Sequence, residues 1–157
     1  MYKRILVAVD GSEPSRRALA EAIRLGGELS ACLLLVNVIN KSPWISPEID
    51  QTTLQHLIDD LRGTGESILH EAKTAARGAG VEVDARLIEA LGAEAGECVI
   101  QQAASWPADL IVCGTHGRRG LRRLLMGSDA EYIVRHSAVP VLLVPASASP
   151  ARTEGST

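Results

Sequence analysis

Gly114, Thr115, His116 and Gly117, followed after nine residues by Gly127 and Ser128, have the types and spacing to hold an anion. A glycine lets main-chain amides approach a phosphate closely, because no Cβ stands in the way. The stretch lies between an apolar run, Leu110–Cys113, and a helical pattern carrying Ala130, Ile133 and Val134. A helix start presents unpaired N–H groups and a partial positive charge, and Ser128 adds a hydroxyl donor. Such a cradle of main chain and hydroxyl needs no lysine. The pattern is neither GxxxxGK(S/T) nor GxGxxG, so a Walker loop and a dinucleotide fingerprint are both absent. The plain alternative is that these glycines only make turns.

Four arginines, Arg118, Arg119, Arg122 and Arg123, crowd the same loop. They would compensate the charge of a triphosphate, or they form a solvated basic face. Without aromatic neighbours they make a poor stacking platform for nucleic acid. His56, His70 and His136 are scattered. No Ser/His/Asp order, paired carboxylate site or metal cluster is visible, so the pattern favours binding over demanding catalysis.

The elements that position the loop follow from periodicity. Ile5–Val9 and Cys32–Ile39 are continuous apolar runs, as in strands buried on both faces of a parallel sheet. Asp10-Gly11-Ser12 ends the first, and Ser12 is placed to cap a helix that tolerates Pro14 in its first turn. That helix carries Ala18, Leu19, Ala22, Ile23 and Leu25, with Gly26-Gly27 expected to close it. Residues 40–50 read as a loop. One long helix spans Leu54 to Ala76, with a weak point at Gly63 and Gly65 and its end at Gly78 and Gly80. Val81–Ile88 is a third strand, less buried and suited to an edge. Ala93–Trp106 is helical, stopped by Pro107, and Val139–Val144 is the last strand. This β-α alternation implies a parallel sheet covered by helices on both faces. In a doubly wound sheet the glycine loop then falls at the carboxyl edge, where ligands bind.

The length of 157 residues suits one domain, and the core must be aliphatic, because only 3% of residues are aromatic and none is Phe. A formal net charge of -3 argues against general affinity for nucleic acid. Cys32, Cys98 and Cys113 form no CxxC pair and read as buried thiols in a reducing compartment. The first residues enter a strand with no signal-peptide layout, and no apolar run is long enough to span a membrane. The cytoplasm is the expected location.

Three segments, Ile5–Ser12, Asp109–Gly117 and Ser137–Val144, resemble the universal stress protein family, and the resemblance runs from about Lys3 to Pro145. The complete G-x2-G-x9-G-(S/T) spacing resembles its ATP-binding branch. The resemblance implies an α/β domain over residues 1–145. Its core would be a Rossmann-like, doubly wound, five-stranded parallel sheet of order 3-2-1-4-5, with helices on both faces. Residues 146–157 would be a disordered tail. The strand order reverses between the first and fourth strands, whose ends are Asp10 and Gly114. The implied ligand is ATP, or ADP or AMP, with Mg²⁺ as an optional companion.

Carried onto this sequence, the family's roles put Ala8 and Val9 beside the adenine. Asp10 would accept from the ribose hydroxyls, and the Val38 main chain would meet the adenine edge. Gly114, His116 and Gly117 would shape the near side of the phosphate loop. Gly127, Ser128 and the Asp129 N–H would hold the phosphates. Alternatives remain for three of these: Asp10 as a turn former, Val38 as core and His116 as an exposed loop residue. Asp129 departs from the small or apolar residues common at this place. Its carboxylate would repel phosphate if it pointed inward, or hold Mg²⁺. The resemblance also implies a homodimer through Val139–Val144, an apolar edge strand that invites pairing. Two other readings share the fold. One is an activating enzyme of the adenine-nucleotide α-hydrolase type, although Val9–Ser12 lacks its SGGxDS loop. The other is a nucleotide-free interaction protein.

Overall fold

The computed structural model describes residues 1–116 and 126–146. Five strands and four α-helices alternate along these residues, with one 3-10 turn at Ser42–Trp44: β1 (Arg4–Ala8), α1 (Glu13–Leu29), β2 (Cys32–Asn40), α2 (Gln51–Gly78), β3 (Val83–Ala90), α3 (Ala95–Ser105), β4 (Leu110–Gly114), α4 (Ser128–His136) and β5 (Val141–Val144). All pairings are parallel, in the order β3-β2-β1-β4-β5. The expected sheet is therefore present, with the reversal between β1 and β4 and with β3 and β5 at its edges.

Alternation along the central strands divides the core in two. Ile5, Val7, Leu33 and Leu35 face α1 and α2, whereas Leu6, Leu34, Val36 and Ile111 face α3 and α4. Side chains of this kind, fully removed from water, each contribute about 2 kcal/mol. At the amino edge, Asp109 accepts from the main-chain N–H groups of Lys3 (2.8 Å) and Arg4 (3.1 Å). This clamp fixes the β1–β4 register, in which Ile5 lies beside Leu110 and Val7 beside Val112. Continued two residues on, that register sets Val9 level with Gly114.

Some boundaries differ from the sequence reading, among them β3, which runs Val83–Ala90 rather than Val81–Ile88. Helix α1 passes through Gly26-Gly27 and ends at Ser30, in the left-handed region (φ 50°), whose N–H donates to the Gly26 carbonyl. Gly26 is a packing glycine instead, because a Cβ there would lie 2.8 Å from Val81 Cγ1. Helix α2 is the one long helix expected, and it runs through Gly63 and Gly65 to Gly78. Gly65 lies against β2 and β3, where a Cβ would sit 2.6 Å from both Asn37 Oδ1 and Leu87 Cδ1. Strand β5 begins at Val141 rather than Val139, because the Val139 N–H turns to Ser137 Oγ at 3.1 Å. Of the expected tail, 146–157, residues 147–157 lie outside the described residues.

Candidate functional site

The turn after β1 is held by its own side chains. Asp10 Oδ1 accepts from Ser12 N (2.9 Å), and Ser15 Oγ accepts from Asp10 N (3.0 Å). Ser12 Oγ caps α1 by accepting from Ser15 N at 3.3 Å. Gly11 takes φ +81°, where a side chain would be strained. Asp10 therefore does form a turn, and it does so at the mouth of the β1–β4 reversal.

Val9 N donates to Val36 O (2.9 Å), and Asn37 Nδ2 donates to Val9 O (2.7 Å). Main-chain groups two residues apart on a strand point the same way. The Val38 N–H and C=O therefore face the β1 side, past the point where β1 has ended. Among the described residues that side offers them no main-chain partner. The Val38 side chain packs into the α3/α4 layer. Ala8 is half-buried in that layer, and Val9 is buried in the other.

On the far side of the crevice, Gly127 N donates to Thr115 O at 2.7 Å, which draws the start of α4 against the end of β4. Gly127 is the N-cap of α4 and supplies no side-chain cap. Among the described residues, the first amides of α4 therefore begin without the N-cap hydroxyl or carboxylate such positions usually have. Ser128 is exposed. Gly114 meets the protein itself rather than open space. A Cβ there would lie 2.7 Å from Pro14 Cβ and 2.9 Å from Pro14 C, so its bare Cα admits the first turn of α1. His116 Nδ1 is hydrogen-bonded to Thr115 Oγ1 (3.0 Å), and its Nε2 is buried with no partner among the described residues. Gly117 and the arginines 118, 119, 122 and 123 lie outside those residues.

The Asp129 carboxylate turns toward α3. Its Oδ1 accepts from Gly96 N, near the start of α3, at 2.9 Å. Burial pushes the Cys113 thiol up to about 12, with the Asp129 charge adding to it, and burial also raises Cys98. Neither is an activated thiolate near neutral pH. All three cysteines are free, and Cys32 is half-buried rather than buried.

Sequence reasoning missed the contribution of α2. A cleft of about 820 Å³ opens between the Asp10–Ser12 turn and α2, walled by Asp60, Thr64 and Ser67 with Arg16 opposite. The i, i+4, i+7 spacing of those three polar residues was the available signal. This cleft adjoins the crevice at Asp10 but does not reach Gly127. At the ends of β2 and β3, Glu89 receives Arg62 (2.6 Å) and Lys41 (3.0 Å), which hold its carboxyl below the usual range.

The sequence profile of the Universal stress protein family matches residues 1–145. The chain belongs to the universal stress protein family. A universal stress protein of Methanocaldococcus jannaschii is 34% identical over 145 residues, spanning 92% of this chain and 82% of the relative. A solved universal stress protein family member from Burkholderia pseudomallei is 33% identical, with a TM-score of 0.76, covering 92% of this chain and 97% of the other. A universal stress protein solved in complex with cAMP is 27% identical, with a TM-score of 0.66 and coverages of 93% and 98%. Some members of the family thus bind adenine nucleotides. In this universal stress protein the Asp10 turn, Gly114, His116, Gly127 and Ser128 gather at one sheet edge, at the reversal of strand order.

Proposed function

We propose that this universal stress protein binds an adenine nucleotide, ATP foremost, in the crevice between β1 and β4. Its role is that of a stress-response signalling module with at most slow hydrolysis. The observation that supports the reading is a pair of main-chain edges at one crevice, for which the described residues supply neither a ladder partner nor an N-cap side chain. Val38 offers an N–H and a C=O beside β1, and the uncapped start of α4 offers N–H donors beside β4. The first matches the donor and acceptor edge of adenine, and the second matches phosphate. Asp10 and Ala8–Val9 lie between them for the ribose and base. Gly114, His116, Gly117, Gly127, Ser128 and the Asp129 N–H complete the phosphate side. Mg²⁺ would enter on the phosphates, because Asp129 Oδ1 is already engaged by Gly96.

Hydrolysis needs an oriented water and a matched base, and no evident base stands among the described residues of the arrangement. Equilibrium binding of ATP, ADP and AMP, followed by assay for pyrophosphate and phosphate release, tests the proposal. Micromolar ATP binding with little release is expected. Rapid pyrophosphate release would point to an activating enzyme, and no binding to a nucleotide-free interaction protein.

We also propose a homodimer in the cytoplasm. Val141–Val144 is a half-buried apolar strand with one edge unpaired among the described residues, fit to pair antiparallel with its twin. Sedimentation at micromolar concentration is expected to give a dimer, and a monomer would refute it. The acidic net charge disfavours nucleic acid as a partner. No helix among the described residues is long and apolar enough to cross a membrane.

A further inference from the structure

Two helix starts, those of α3 and α4, meet at the carboxyl edge, and neither has a side-chain cap from its own N-cap residue. Glu94 makes no cap bond at α3, and Gly127 has no side chain to make one at α4. The missing cap of α3 comes from α4. Asp129 Oδ1 accepts the Gly96 N–H at 2.9 Å, across thirty-three positions of sequence. This is the second amide of α3, one that an N-cap side chain ordinarily takes. Gly96 makes the approach possible. A Cβ there would stand 2.9 Å from the Asp129 carbonyl oxygen and 3.0 Å from Tyr132 Cβ.

We infer that Asp129 is a positioning residue, whose carboxylate latches α4 to α3 through the Gly96 amide and thereby aims the first amides of α4 into the crevice. Its charge is spent on the positive end of α3, so a carboxylate adjacent to Ser128 does not oppose a bound phosphate. The start of α4 is then held from two sides, by Gly127 N on Thr115 O and by Asp129 on Gly96. The influence of Asp129 on both buried thiols agrees with a carboxylate turned toward α3 and β4. The inference rests on the proposed nucleotide site.

The test is ATP affinity, with and without Mg²⁺, across a set of variants of the full chain. Asp129→Ala is expected to raise Kd about tenfold, the order of effect of losing a helix cap. Asp129→Asn keeps an acceptor for Gly96 and is expected to recover most of that loss. Gly96→Ala, which wedges the helices apart, is expected to weaken ATP as Asp129→Ala does. Asp50→Ala is the control: it removes a comparable cap, on Thr53 N at 3.0 Å at the start of α2. It should lower Tm to a similar extent while leaving Kd within about twofold.

Wild-type affinity in Asp129→Ala and Gly96→Ala would overturn the inference. So would an Asp129→Asn variant as weak as the alanine, or one that loses its Mg²⁺ dependence, since either would make the carboxylate a charge or metal ligand. If the unaltered protein binds no ATP, the site reading falls and takes this inference with it. A failure confined to the variants removes the inference alone.

Discussion

Replacing Gly127 with leucine is expected to abolish ATP binding while leaving the fold in place. Gly127 has φ -62° and ψ 155°, an extended conformation open to any residue, so the backbone carries no objection to a side chain. The objection is spatial. Gly127 precedes the uncapped amides of α4 and is tied to Thr115 O, at the place where a phosphate would sit. A leucine there would displace the anion from at least two amides. Hydrogen bonds to a charged group contribute about 1.5 kcal/mol each, so the loss is on the order of 3 kcal/mol, more than a hundredfold in Kd. Thermal stability should stay within about 2 °C of the parent. Gly117 carries the same expectation from its place in the motif. Unchanged affinity in Gly127→Leu would remove the phosphate loop from the account.

Gly114→Val is expected to do the reverse, with stability falling first. The new Cβ would be forced to within 2.7 Å of Pro14 Cβ and 2.9 Å of Pro14 C. Those atoms belong to the first turn of α1, which Ser12 and Ser15 hold rigidly, so α1 must move off β4. Overpacking of this kind costs about 2–3 kcal/mol, which lowers Tm by roughly 5–10 °C in a chain of this size. Affinity should fall as well, because the Asp10–Ser12 turn moves with Pro14. Thermal denaturation and ATP titration of the same sample decide the matter. If affinity falls while Tm holds, the bare face of Gly114 meets ligand rather than α1.

The contrast between these two glycines shows what a sequence can and cannot convey. Ile5–Val9 and Cys32–Ile39 were legible as central strands because burial on both faces leaves an unbroken apolar run. The glycine spacing was legible because it is local. Gly26 is no terminator of α1, and Gly65 lies within the single long helix expected there. Their function is to admit Val81 and Asn37, neighbours that only the fold supplies. The Asp129–Gly96 bond is invisible in the sequence for the same reason, since spacing does not encode the direction of the Asp129 carboxylate. Asn37 carries a signal of its own. A single amide inside the apolar run of β2 needs a buried partner, and it finds Val9 O, beside the proposed base site. Val38 shows the opposite case, since its main-chain freedom depends on where β1 stops relative to β2.

The most direct measurement is a titration of the isotopically labelled protein with ATP, followed through its backbone amide resonances. The expected result is saturable shifts at the amides of Asp10, Val38, Ser128 and Asp129, with those of the amino edge, Lys3 and Asp109, unmoved. Saturable binding that leaves those four amides undisturbed, or no response to ATP at all, would contradict the account.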